Sequence, residues 1–227
     1  MVATGPAAKG HDHHDSRAEE LRASPPMFRS GWLDALSRVH PVVPPLIFGP
    51  AIAALAARAL RRMAVSSVLF AVVCGYLLWT LCEYWIHRVI FHFEPEAGFG
   101  ARLHWMIHGV HHDHPNDPLR LVMPPSVSIP LAAIFVAMFA IVLGAPFAWA
   151  LSAGFLGGYL LYDMLHYALH HARFRGRLGR HLRELHMRHH FEDDERGFGI
   201  SAPWWDIVFA TYSRRAGRAH TTDGPDS

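Results

Sequence analysis

HRVIFH at 87–92, HGVHH at 108–112, HYALH at 166–170 and HMRHH at 186–190 decide how this chain is read. Residues three and four apart share one face of a helix. His108, His111 and His112 therefore point to one side, and so do His186, His189 and His190. His166 and His170 stand one turn apart. His87 and His92, five apart, fit a regular helix less well and suit a helix that loosens at its end. Ten imidazoles brought together cannot be a packing solution. Charged rings would repel, and buried neutral rings each need a partner. A metal ion satisfies them in one step, and imidazole suits iron, zinc and copper. Ten ligands exceed the capacity of one ion, so two are expected, with about five ligands each.

The stretches around these clusters say where the metals sit. Four apolar segments are visible: about 42–60, containing Pro44, Pro45 and Pro50, then 64–86, about 127–143, and 147–165. Each is near the ~20 residues needed to cross a ~30 Å hydrocarbon core. The prolines make the first the weakest, and a bent or partly re-entrant path is expected there. Gly144, Ala145 and Pro146 suit a tight hairpin between the last two. An even number of crossings separates the His-rich stretches 87–126 and 166–215, so they lie on one side and their clusters can meet in one cap. Arg173, Arg175, Arg177, Arg180, Arg183 and Arg188 place that cap in the cytoplasm by the positive-inside rule, although Arg58, Arg61 and Arg62 in the first hairpin loop oppose it. The expected fold is thus all-α: an integral membrane protein with about four transmembrane helices and a cytoplasmic helical cap holding a di-metal centre. Residues 28–213 would form the domain, flanked by disordered tails at 1–27 and 214–227.

Composition excludes other classes. The 227 residues suit one domain; 51% are hydrophobic and 18% charged, and the net charge is +2. No basic run alternates with aromatics, so no nucleic-acid partner is expected. Cys74 and Cys82, both in apolar stretches, cannot make a disulfide framework and read as small buried hydrophobes. No signal peptide is evident at the charged, His-rich start. Of the other histidines, His104, His114, His171 and His181 read as partners of the ligands or as solvated side chains; His40 and His220 have no chemical role.

The motifs HRVIFHF, HGVHHDHPNDPLRLVMPP, GYLLYDMLHYALHH, HMRHHFEDDERGFGIS and WWDIVF resemble the fatty acid hydroxylase/sterol desaturase superfamily. Within it they are most similar to the fatty acid 2-hydroxylases that act on sphingolipid acyl chains. The resemblance covers roughly residues 40–213. It implies that His87, His92, His108, His111, His112, His166, His170, His186, His189 and His190 bind two iron ions, with zinc as a substitute in a purified sample. Which five serve which ion stays open. It implies O2 as co-substrate and hydroxylation of a membrane lipid's acyl chain, at C2. No heme-binding HPGG motif appears, so electrons would come from a separate cytochrome b5-like or ferredoxin-like protein with its reductase. The metal does the hard chemistry at an unactivated C–H bond, and redox-inert zinc is unfit for it. Glu83, Asp113, Asp163, His104 and His171 are candidates to stand behind the ligands and orient their rings. Arg120, in the RLVMPP loop, is a candidate to grip a lipid headgroup or to pair with Asp117. Trp85, Trp105, Trp204 and Trp205 are placed to lie at the membrane interface. Two other readings remain: a sterol or carotenoid desaturase or hydroxylase of the same superfamily, and a metal transporter or storage protein. The latter needs histidines along the apolar segments, which carry almost none before their ends.

Overall fold

In the computed structural model, residues 9–213 are described, with side chains from residue 16 onward, and no strand occurs among them. The helices are α1 (Lys9–Arg22), α2 (Gly31–Leu36), α3 (Val43–Leu60), α4 (Val65–Trp85), α5 (Gly98–His104), α6 (Val110–Asp113), α7 (Pro125–Leu143), α8 (Phe147–His171), α9 (Arg177–Phe191) and α10 (Trp204–Val208). Two π-helical turns interrupt this plan. One, Ile86–Phe91, prolongs α4; the other, Trp105–Gly109, joins α5 to α6.

Three stretches, Val43–Leu60, Val65–Phe91 and Pro125–Leu143, are long and apolar enough to cross a membrane. Their outward faces are bare hydrocarbon: Leu69, Phe70, Ile134 and Val142 are exposed, and Ile141 is 84% exposed. Such faces fit lipid, not water. The segment expected as a fourth span is helical, but α8 stands inside the bundle, packed on α3, α4 and α7. Ala150, Leu151, Gly154, Phe155, Gly158 and Tyr159 are buried along it. A helix covered by its neighbours needs no lipid-facing apolar surface, so it can carry Ser152 and Asp163. The first segment is one continuous helix of 18 residues. Pro44 and Pro45 sit in the first turn of α3, where the missing N–H costs nothing, and only Pro50 lies within it.

The α4–α8 contact sets the depth of the bundle. A Cβ on Gly75 would come within 2.8 Å of the Phe155 backbone nitrogen, so glycine alone allows these backbones to meet. Below this crossing, Trp79 lies edge-on to Phe155 and Tyr159, with both ring centroids 5.3 Å away. Phe48 of α3 closes on Tyr159 at 4.9 Å.

The stretch 1–27 is not wholly a tail. Residues 9–22 are helical, and the chain behind them is tied to the cap: the Asn116 amide donates to the Leu21 carbonyl at 2.9 Å, and Met27 is buried. The expected C-terminal tail, 214–227, lies outside the described residues.

Candidate metal centre

The π-helical turn after α4 explains the five-residue spacing of the first pair. The His92 amide bonds to the His87 carbonyl at 3.2 Å, an i to i+5 closure that turns both rings inward. The second π-helical turn carries His108 and delivers His111 and His112 on α6. His166 and His170 come from the last turns of α8, and His186, His189 and His190 from α9.

The structure brings all ten together and divides them into two groups of five. One is His87, His92, His108, His112 and His189; the other is His111, His166, His170, His186 and His190. Each HxxHH motif is shared. In the first, His108 and His112 enter one group and His111 the other. In the second, His186 and His190 enter one and His189 the other. The groups touch, with the His112 and His190 ring centroids 4.3 Å apart.

The contacts inside each group are between Nε2 atoms. His87–His108 is 3.2 Å, His87–His92 3.3 Å, His92–His189 3.1 Å and His108–His112 2.9 Å. In the second group His111–His166 is 2.9 Å, His170–His186 2.7 Å and His186–His190 3.2 Å. Hydrogen bonds do not account for this. The Nδ1 atoms of His87 and His189 face the carbonyls of Phe198 and Arg196, at 2.8 and 2.7 Å. A carbonyl only accepts, so these rings donate from Nδ1 and turn bare Nε2 lone pairs inward. Lone pairs converging on one point call for a Lewis acid. Nitrogens bound at ~2.1 Å and at right angles stand ~3.0 Å apart, which is the observed spacing. The residues present therefore fit two metal ions.

The protonation states agree. Burial first, and then the neighbouring rings, hold His108, His111, His186 and His190 well below the ordinary histidine value, and push His112 down to about 2. These imidazoles are neutral and ready to ligate.

The candidate supporting residues are placed otherwise than behind the rings. Glu83 accepts from the Ser201 amide at 2.7 Å and from the Ser201 hydroxyl. Asp163 accepts from the Met123 amide at 3.2 Å and the Tyr159 hydroxyl at 3.4 Å. Asp113, exposed, accepts from the Trp105 indole at 2.8 Å. His104 bonds to the Phe91 carbonyl, and His171 lies against Tyr167. Arg120 points into protein: its side chain is 2% exposed, and it bonds to Asp34 at 2.9 Å and to the Pro25 carbonyl. Asp117 is 4.0 Å from its Nε. The groups that do hold ligand rings are the backbone carbonyls of Arg196 and Phe198. Their residues lie in RGFGIS, where Gly197 has φ +79°.

A narrow apolar crevice lies between α4, α7 and α8, lined by Trp79, Met123, Ala132, Phe135, Phe155 and Tyr159 among others. Tyr159 lies about two helical turns before His166.

Residues 72–211, which hold every one of these histidines, match the fatty acid hydroxylase family. The chain belongs to that family. This family member is 35% identical over 191 residues to a dihydroceramide fatty acyl 2-hydroxylase of Arabidopsis thaliana, covering 84% of this chain and 81% of the relative. It is 36% identical to a ceramide very long chain fatty acid hydroxylase of Saccharomyces cerevisiae, covering 84% of this chain and 50% of the relative. A solved structure of full-length scs7p, in which only the hydroxylase domain is visible, superposes with a TM-score of 0.75. That match has 35% identity and covers 81% of this chain and 70% of that one. The family membership supports the hydroxylase reading of the histidine motifs, and the helical fold agrees with it.

Proposed function

We propose that this chain is a membrane-bound di-iron oxygenase that hydroxylates a lipid acyl chain at C2. One observation carries the reading: two adjoining clusters of five neutral imidazoles, each converging through Nε2, in a member of the fatty acid hydroxylase family. His87, His92, His108, His112 and His189 hold one ion, and His111, His166, His170, His186 and His190 the other. Bound iron supplies the O2 chemistry that no side chain can, whereas zinc is redox-inert. One oxygen atom enters the C–H bond and the other leaves as water, using two electrons from a separate redox protein and two protons from solvent.

The chain's own residues do the rest. The buried rings of both clusters set the ligand geometry and keep bulk water away. The apolar crevice beside Trp79 and Phe155 marks where an acyl tail would approach from the bilayer at little hydrophobic cost. The arginines between Arg173 and Arg188 support a cytoplasmic cap, and two crossings, α7 and α8, between the His-rich stretches would keep both on that side. Arg120 acts as a structural clamp on Asp34.

The test is mass spectrometry of lipids from cells with and without the protein, grown under labelled dioxygen. One labelled oxygen at C2 of an acyl chain is the expected product. A changed sterol or carotenoid ring, or label absent from the product, overturns the proposal. His189→Ala is expected to abolish the product while the protein stays membrane-inserted.

A further inference from the structure

We propose that Asp206 is a positioning residue for the His87-containing metal site alone, acting through the 196–201 loop. The inference rests on the metal reading above and adds an inequality between the two sites.

Two peptide units of the loop carry the link. The unit joining Phe198 to Gly199 accepts the His87 Nδ1 proton at its carbonyl, 2.8 Å away, and its N–H donates to Asp206 Oδ2 at 2.9 Å. The unit joining Arg196 to Gly197 accepts from His189 Nδ1 at 2.7 Å, and its N–H donates to the Thr211 carbonyl at 2.9 Å. Thr211 is itself tied to Asp206, its hydroxyl donating to Oδ1 at 2.8 Å. The Phe198 amide donates to the same Oδ1 at 2.9 Å. A carboxylate pulling on a peptide N–H polarises the carbonyl of that unit. The carbonyl then grips the ring proton harder, so His87 becomes a better-oriented and more basic ligand. Asp206 is 1% exposed, so water cannot take over its three bonds.

No such anchor stands behind four of the second cluster's five rings. The buried Nδ1 atoms of His111, His170, His186 and His190 have no hydrogen-bond partner among the described residues. The orienting device therefore serves one cluster and leaves those four rings of the other to their helices, α6, α8 and α9.

Asp206→Asn separates the carboxylate from its volume. An amide oxygen at Oδ1 still accepts from Phe198 and Thr211, but the amide NH2 then faces the Gly199 N–H and the link to His87 is lost. Glu83→Gln is the contrast. It meets Ser201 at the far end of the loop, and the Ser201 hydroxyl can turn round to accept from the new amide.

The experiment uses the full chain in detergent, stripped and titrated anaerobically with ferrous ion or with cobalt(II). Bound metal is counted by mass spectrometry and cobalt is read by its absorption. His170→Ala leaves the His87-containing site to be read; His92→Ala leaves the other. With His170→Ala, adding Asp206→Asn is expected to weaken the remaining ion about 10–100-fold, as loss of an outer partner does elsewhere. With His92→Ala, the same change leaves the remaining ion as before. Thr211→Val, which removes one hydroxyl, gives a smaller loss at the same site and carries the test should Asp206→Asn not fold. Equal weakening in both backgrounds, no weakening in either, or an equal effect of Glu83→Gln overturns the proposal. A wild-type chain that takes up no metal, or whose uptake ignores both histidine changes, overturns the metal reading itself.

Discussion

Asp34→Ala should be among the most damaging changes in the protein, although the residue lies far from every histidine motif in sequence. Asp34 Oδ1 accepts from the Met27 amide at 2.7 Å and from Arg120 at 2.9 Å; Oδ2 accepts twice from Arg38, at 3.1 Å. These donors outweigh the upward push of burial and hold its carboxyl below the usual aspartate value. Arg120 is 2% exposed at its side chain, so removing Asp34 strands a buried guanidinium. Breaking such a pair costs ~3–5 kcal/mol. The Pro25 carbonyl and Asp117 at 4.0 Å remain to it, which favours the lower end, about 3 kcal/mol. Arg120→Met is expected to cost less, about 1–2 kcal/mol, because Asp34 keeps Arg38 and the Met27 amide. The double change Asp34→Leu with Arg120→Met removes both charges and should cost about 1 kcal/mol, well under the sum. Unfolding of the detergent-solubilised protein by a denaturing detergent, followed by tryptophan fluorescence, measures all three. A loss under about 1 kcal/mol for Asp34→Ala, or a double change equal to the sum, would refute the clamp. A stable double variant with weakened lipid turnover would instead return Arg120 to a headgroup role.

The neighbouring substitutions His111→Ala and His112→Ala should each lower bound metal from two ions to about one, but at different sites. Their cobalt absorption spectra are expected to differ, and identical spectra would refute the division of the clusters. Stripped protein should lose stability as pH falls below about 6.5, because the unfolded chain takes up protons that the folded His108, His111, His186 and His190, held far below that value, refuse. Metal should move the acid midpoint downward; a midpoint unaffected by metal refutes this. Gly75→Leu forces side-chain atoms against the α8 backbone, which cannot yield, and should cost about 1–3 kcal/mol or block folding. An unchanged unfolding midpoint would show that α4 and α8 are not held this closely.

Much of this was legible because two periods are strong in the sequence. Apolar runs near 20 residues marked α3, α4, α7 and α8 to within a few residues, since hydrocarbon thickness sets their length. The same measure misjudged the environment of α8. Hydropathy registers what a helix shows to lipid, and α8 shows little; its Gly154, Gly158 and Asp163 answer to neighbouring helices instead. The helix at 9–22 was missed because a polar stretch without an apolar period gives no signal.

The site divides in the same way. Imidazoles are named by the sequence, and their grouping in four motifs pointed to the ten rings that the structure brings together. Their division between two clusters was not legible, because it depends on how helices distant in sequence are brought together. The anchors behind the rings were not legible either. Carboxylates such as Asp113 and Asp163 draw attention in a sequence, whereas the carbonyls that grip His87 and His189 belong to Phe198 and Arg196 and have no residue type of their own. What the chain encodes instead is the means of presenting them. Gly197, at φ +79°, makes the turn, and Asp206 and Thr211 hold it. A glycine-rich loop closed by a buried carboxylate is thus a sequence-level trace of ligand orientation, and it is found by asking which backbone groups the loop is built to aim.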